Sequence, residues 1–144
     1  LWKKCWTLWQ KRVEFAETQE VNRNTQEISD YLRWLANSPV DLEFLFPTLQ
    51  KSVKYLHDGF DTRQLIEYAS KQCGQFPLYA VTLLQMAILA AKEVWWMPKD
   101  EDEEQILRAA MASKFEKARK IAVGIINYRG EHGDFHWKYL LGEN

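Results

Sequence analysis

The chain has 144 residues, enough for one domain that buries a core without disulfide or metal staples. Hydrophobic residues make up 47% and charged residues 27%, aromatics reach 14% with seven Trp, and six Gly with four Pro supply too few turn formers for an all-β fold. Nineteen Lys and Arg stand against twenty Asp and Glu, divided ten to ten in residues 1–72 and nine to ten in 73–144, which excludes the charge polarity of a strongly electrostatic nucleic-acid or membrane binder.

The chain opens on Leu1-Trp2-Lys3-Lys4-Cys5-Trp6 without a Met and is read as one helical domain, 1–144, at the C-terminal end of a longer protein. Lys3, Lys4, Lys11 and Arg12 interleave with Trp2, Trp6 and Trp9, which is not the pattern of an export signal. The longest apolar stretch, Phe76 to Ala91, is broken by Thr82 and Gln85 and falls short of the roughly 20 residues that cross a bilayer. Cys5 and Cys73 form no C-x-x-C pair and suit a reducing compartment. A cytoplasmic protein with no membrane partner is expected.

Helical periodicity runs nearly throughout. Trp2, Trp6, Trp9, Val13 and Ala16 step by four and three along a first helix, and Leu1, Cys5, Leu8 and Phe15 widen the stripe. Asn24 with Glu27 caps a second helix whose face carries Ile28, Tyr31, Leu32 and Leu35. Ser38-Pro39 starts a third, with Pro39 at the first helical position and Leu42, Leu45, Leu49, Val53 and Leu56 on its stripe. Pro47 is expected to kink that helix or to split off its first turn. Asp61 with Gln64 caps a fourth, carrying Leu65, Ile66, Ala69 and Cys73, with Gly74 as its left-handed stop. A fifth helix, from about Pro77 to Val94, is apolar on most sides and is therefore expected to be packed from several directions. Asp100 with Glu103 caps a sixth, whose acidic run is read as a solvated helix start. Ser113-Lys114-Phe115-Glu116 is a second capping box, opening a seventh helix with Phe115, Ala118, Ile121, Ala122, Ile125 and Ile126 on its face and Gly130 as its stop. A short last helix spans Asp134 to about Leu141.

Hairpins therefore begin near residues 24, 61 and 100, a spacing of about 37 and then 39. That period predicts an all-α fold of about eight helices stacked as antiparallel hairpins, a HEAT-like α-solenoid, with an irregular helix bundle as the alternative.

Catalytic and ligand-binding motifs are scarce. No G-x-x-x-x-G-K-[ST] or G-x-S-x-G occurs, so neither a nucleotide cradle nor an activated serine has a candidate, and no cofactor is expected. The run from Asp100 to Glu104 alternates oxygens as a calcium loop does, but Gln105 stands where that loop needs Gly and Met111 where it needs the closing Glu. His132 and His136 have the i, i+4 spacing of a metal pair, which Gly133 interrupts. Every Asp and Glu has a cap or surface explanation. Lys114, Lys117 and Lys120 share one stripe and Lys51 with Lys54 another, the pattern a nucleic-acid-binding solenoid would use, although Lys92 alone continues it between them. Trp95 and Trp96 sit in a loop beside Pro98, where they plug the end of the core or anchor a partner.

The order of features carries a resemblance. The Leu1-Trp2 helix with Trp6, Trp9 and Arg12 is followed by Trp34-Leu35-Ala36-Asn37-Ser38-Pro39 and a hairpin ending in Trp95-Trp96. Ile106-Leu107-Arg108-Ala109-Ala110 then precedes a close of Ile125-Ile126-Asn127-Tyr128-Arg129-Gly130-Glu131-His132-Gly133-Asp134-Phe135 with Leu140-Leu141. This series resembles the C-terminal helical tail of very large bacterial multidomain ATP-binding proteins associated with defence against phage. Pro47, and Tyr128 where a Leu is expected, depart from it. The resemblance implies an upstream nucleotide-binding core and a tail that senses or holds a partner, and it assigns no active-site residue here. The expected function is a non-catalytic module for protein interaction or sensing, its partner being the rest of the parent chain, a second copy or a foreign protein. A nucleic-acid-binding solenoid, or a hydrolase with a site hidden from the linear sequence, are the alternatives.

Overall fold

A computed structural model describes residues 2–18, 34, 39–53, 59–90 and 101–142. These form six α-helices, α1 (Trp2–Thr18), α2 (Leu42–Ser52), α3 (Gly59–Gln72), α4 (Pro77–Ala90), α5 (Glu101–Met111) and α6 (Glu116–Glu131), and a closing 3-10 turn, Lys138–Leu141. No strand occurs among the described residues. The helix expected from Asn24, Trp34 apart, lies outside them, as do Leu56, Lys54, Lys92, Trp95, Trp96 and Asp100.

The apolar stripes become the core as their spacing dictates. On α1, Trp6, Trp9 and Val13 are buried, Trp6 meeting Trp9 edge to face at 4.6 Å, while Trp2 is half-buried against Trp34 at 4.0 Å. The stripe is narrower than expected, since Leu8 and Phe15 stand 60% and 49% exposed. Leu42, Leu45, Leu49 and Val53 are buried from α2, and Leu65, Ile66, Ala69 and Cys73 from α3 and its end. Phe115, expected on the core face of the seventh helix, is 48% exposed, whereas Ala118, Ala122, Ile125 and Ile126 are buried.

Helix α4 is central, packing against α2, α3, α5 and α6. Six of its residues, Ala80, Val81, Leu83, Leu84, Ala87 and Ile88, are buried on different sides, which is why its sequence lacks a clean amphipathic stripe. Helix α3 pairs with α4 and α5 with α6, each pair joined by four residues and thus a hairpin. Between pairs, α4 touches α6 and α3 touches α5, while α2 touches α4 and α1 leans on α2. The helices thus fall into two rows, α2–α4–α6 and α3–α5. The 3-10 turn covers α5 and α6 at one end.

Several helix ends differ from the expectation, and at the start of α2 the reason is a non-local group that supplies what a local cap was meant to supply. Helix α2 begins at Leu42 with Asp41 as N-cap and no side-chain cap bond, so Pro39 lies outside the helix. The Leu42 N–H donates instead to Gln72 Oε1 at the end of α3. Gln72 Nε2 and the Tyr68 hydroxyl both donate to the Val40 carbonyl, at 2.9 and 2.7 Å. Pro47 is accommodated inside α2 without ending it. Helix α3 starts at Gly59, two residues before the expected cap Asp61, and Gly74 does not take the left-handed conformation.

Helix α6 begins at Glu116 with Phe115 as N-cap, and Ser113 Oγ accepts the Phe115 N–H at 3.1 Å in place of a capping box. Gly130 does not stop α6, which runs to Glu131. The left-handed residue is Gly133, φ +83°. Gly130 instead packs beside the Phe135 ring, which would lie in ordinary contact, 3.4 Å, with a Cβ there. The expected last helix reduces to the 3-10 turn, ended by Gly142 at φ +71°.

Candidate functional site

One side of α4 is only partly covered by the described helices. Leu78, Thr82, Gln85 and Leu89 step by four, three and four residues along that face, flanked by Tyr79 and Met86. Five of these are half-buried and Leu89 is 59% exposed. No charged residue occurs between Pro77 and Ala90. The Thr82 hydroxyl donates to the Leu78 carbonyl at 2.7 Å, so the Tyr79 hydroxyl and the Gln85 amide are the polar groups of this ledge that a partner can use. Phe46 of α2 packs on the Tyr79 ring at 4.7 Å and Phe76 lies 6.3 Å from it, extending the apolar surface toward α2. A partner on an uncharged ledge of this kind would be held by shape and apolar burial.

The lysines expected to track a phosphate backbone are placed less favourably. Lys51, Lys114, Lys117 and Lys120 are exposed on α2, before α6 and on α6. Lys120 pairs with Glu116 at 2.9 Å, and Lys114 lies over the Phe115 ring at 5.5 Å. Helix α4, between the two lysine-bearing helices, carries no cation to join them into a groove.

A polar centre that the sequence reading missed lies between α5 and α6. Glu103, expected as a cap in a solvated run, is fully buried, and Arg129 is 1% exposed. Arg129 Nη2 lies 2.7 and 2.8 Å from the two Glu103 carboxylate oxygens, and Nη1 donates to Asp134 Oδ2 at 3.0 Å. Both charges continue apolar stripes: Glu103 leads Ile106, Leu107 and Ala110, and Arg129 follows Ala122, Ile125 and Ile126 at helical spacing. That register was the available signal, because a charge in phase with a core stripe is buried with it and must find a counter-charge. The pair fixes one helix against the other and ties down the turn after α6.

The remaining candidates are held in packing or structural contacts. His132 Nδ1 lies 2.8 Å from the Tyr128 carbonyl, and the His136 ring packs on Trp137 at 4.3 Å, so the two imidazoles are held by different neighbours. Asp134 between them serves Arg129 and accepts the His136 N–H. Among the described residues no three His, Cys, Asp or Glu gather as metal ligands. Both cysteines are free. Burial pushes the Cys73 thiol up, and its sulfur lies 3.6 Å from the Gln105 carbonyl, which disfavours the nucleophilic thiolate. Burial likewise raises the Tyr68 phenol, in keeping with its donor role toward Val40.

On the outer surface of α5, Glu104 Oε1 accepts from the Tyr139 hydroxyl at 2.6 Å and from Arg108 Nε at 2.7 Å. These two donors, Tyr139 first, hold the Glu104 carboxyl below its ordinary range. Among the described residues no helix is long and apolar enough to cross a membrane. No protein-family model matches the chain, and no curated protein or solved structure matches it.

Proposed function

We propose that this chain is a non-catalytic helical-repeat module, HEAT-like in its stacking, that recognises protein within a larger bacterial protein of the cytoplasm. The observation that carries the reading is α4: fourteen residues without a charge, at the centre of the described helices, with Leu78, Tyr79, Gln85, Met86 and Leu89 along its partly covered side. Soluble proteins normally cover such a face or use it. The pairing of α3 with α4 and of α5 with α6, with like helices in contact between pairs, supports a solenoid in which α2, α4 and α6 line the inner side. The resemblance to the tails of phage-defence ATP-binding proteins supports a sensor role, the nucleotide chemistry belonging to the parent chain.

The reading is tested with a photo-crosslinking amino acid at position 85, compared with one at Lys71, which pairs with Glu67 on the exposed side of α3. A discrete protein adduct from position 85 and none from position 71, in the native host, is the expected result. Equal or absent crosslinking at both sites removes α4 as the recognition surface. Tight binding to DNA or RNA that falls steeply between low and moderate salt would replace the protein reading with the nucleic-acid one.

A further inference from the structure

The segment after Asp134 is attached to the helices differently from everything before it. Through Asp134 the backbone is tied to α6: the His132, Gly133 and Asp134 N–H groups donate to the carbonyls of Arg129, Gly130 and Arg129. Beyond it, the backbone bonds are internal, Lys138 N–H to the Phe135 carbonyl, Leu140 to Trp137 and Gly142 to Tyr139. No backbone hydrogen bond among the described residues joins 135–142 to a helix. None of the four residues of the 3-10 turn is buried, and Phe135 and Tyr139 are 62% and 50% exposed. One side chain, Trp137, is buried, and its indole N–H has no acceptor among the described residues. Tyr139 adds the exposed contact with Glu104 and Arg108.

We infer that residues 135–142 are a strap, which lifts from α5 and α6 as a unit while the helices stay folded, with Asp134, held by Arg129, as its fixed point. The reason is the hydrogen-bond inventory. Opening keeps the strap's own backbone bonds and lets the Trp137 indole N–H, unpaired when closed, bond to water. What it gives up is mainly the burial of one indole, the partial burial of Leu140 and Leu141, the packing of the Phe135 ring at Gly130 and solvent-exposed polar contacts, the profile of a segment that opens locally below the global unfolding free energy. The open state exposes the core surface that the Trp137 indole packs against.

The buried indole supplies the test, because its N–H exchanges with solvent only when the strap opens. Hydrogen exchange of the indole protons of the intact chain is followed by nuclear magnetic resonance at rising denaturant. Trp137 is expected to exchange on the order of a hundredfold faster than Trp9, and with a much weaker denaturant dependence. Exchange of both indoles at one rate with one slope would mean that the strap opens only with the whole domain, and overturns the inference. Trp137→Ala is the second measurement. It should keep a cooperative helical unfolding transition while the Leu140 and Gly142 amides exchange at least about tenfold faster than in the parent. Loss of the folded helices in that variant would make Trp137 part of the main core and sink the strap.

Discussion

The two central helix contacts of this chain are built on opposite principles. Around α4 the contacts are apolar on every buried side, and specificity comes from the fit of Ala80, Leu83, Leu84 and Ile88 to their neighbours. At the α5–α6 seam the same job is shared with a buried ionic centre, Glu103–Arg129–Asp134. An apolar contact loses stability in proportion to the atoms removed, whereas an ionic one is indifferent to replacement as a whole and intolerant of losing one member. The first region should bend under mutation and the second should break.

The sharpest way to break the contrast is Arg129→Met. It removes the guanidinium that faces the buried Glu103 carboxylate and is expected to cost about 3–5 kcal/mol in chemical denaturation. Replacing the set together, Glu103→Leu with Arg129→Met and Asp134→Asn, should recover most of that loss. Failure to recover would mean that the ions position the turn as well as balance one another. Leu84→Ala in α4 should cost about 2–5 kcal/mol, with no second substitution needed to explain the value. Gln72→Ala, which strips the acceptor from the Leu42 N–H, should cost about 1–3 kcal/mol and increase amide exchange at Leu42.

Two smaller effects sharpen the comparison from the surface. Because the folded-state Glu104 carboxyl lies below its ordinary range, the stability it contributes is complete above that range and is lost as pH falls through the lowered value. The stability difference between the parent and Glu104→Gln should therefore be present at neutral pH and shrink in acid, and a pH series of unfolding midpoints checks it. Leu89→Glu should change stability by no more than about 0.5 kcal/mol, since the side chain is 59% exposed, yet abolish the crosslink from position 85.

Much of the fold was legible because apolar residues at helical spacing have one physical reading. Leu42, Leu45 and Leu49, or Leu65, Ile66 and Ala69, must share a buried face, and they do. The helix starts were less legible. Ser113 has capping chemistry and uses it one step early, on the Phe115 N–H, and no local rule foresees that Gln72, thirty residues away, will take the Leu42 N–H. Glu103 was misjudged because its acidic neighbours suggested a solvated turn, while its phase with Ile106 and Ala110 told the other story. The partly covered side of α4 was only half legible: a helix apolar all round announces many neighbours, and sequence does not say which side the described helices cover least.

Gln72 has one more consequence. A single amide at the end of one helix sets where an earlier helix begins, so the joint between α2 and α3 is keyed rather than merely greasy. Modular engineering of this scaffold follows from that. A hairpin inserted between α2 and α3 would have to present its own amide to Val40 and Leu42, or α2 would lose the group that fixes its start. Any redesign of this joint therefore has to carry Val40, Leu42 and Gln72 together.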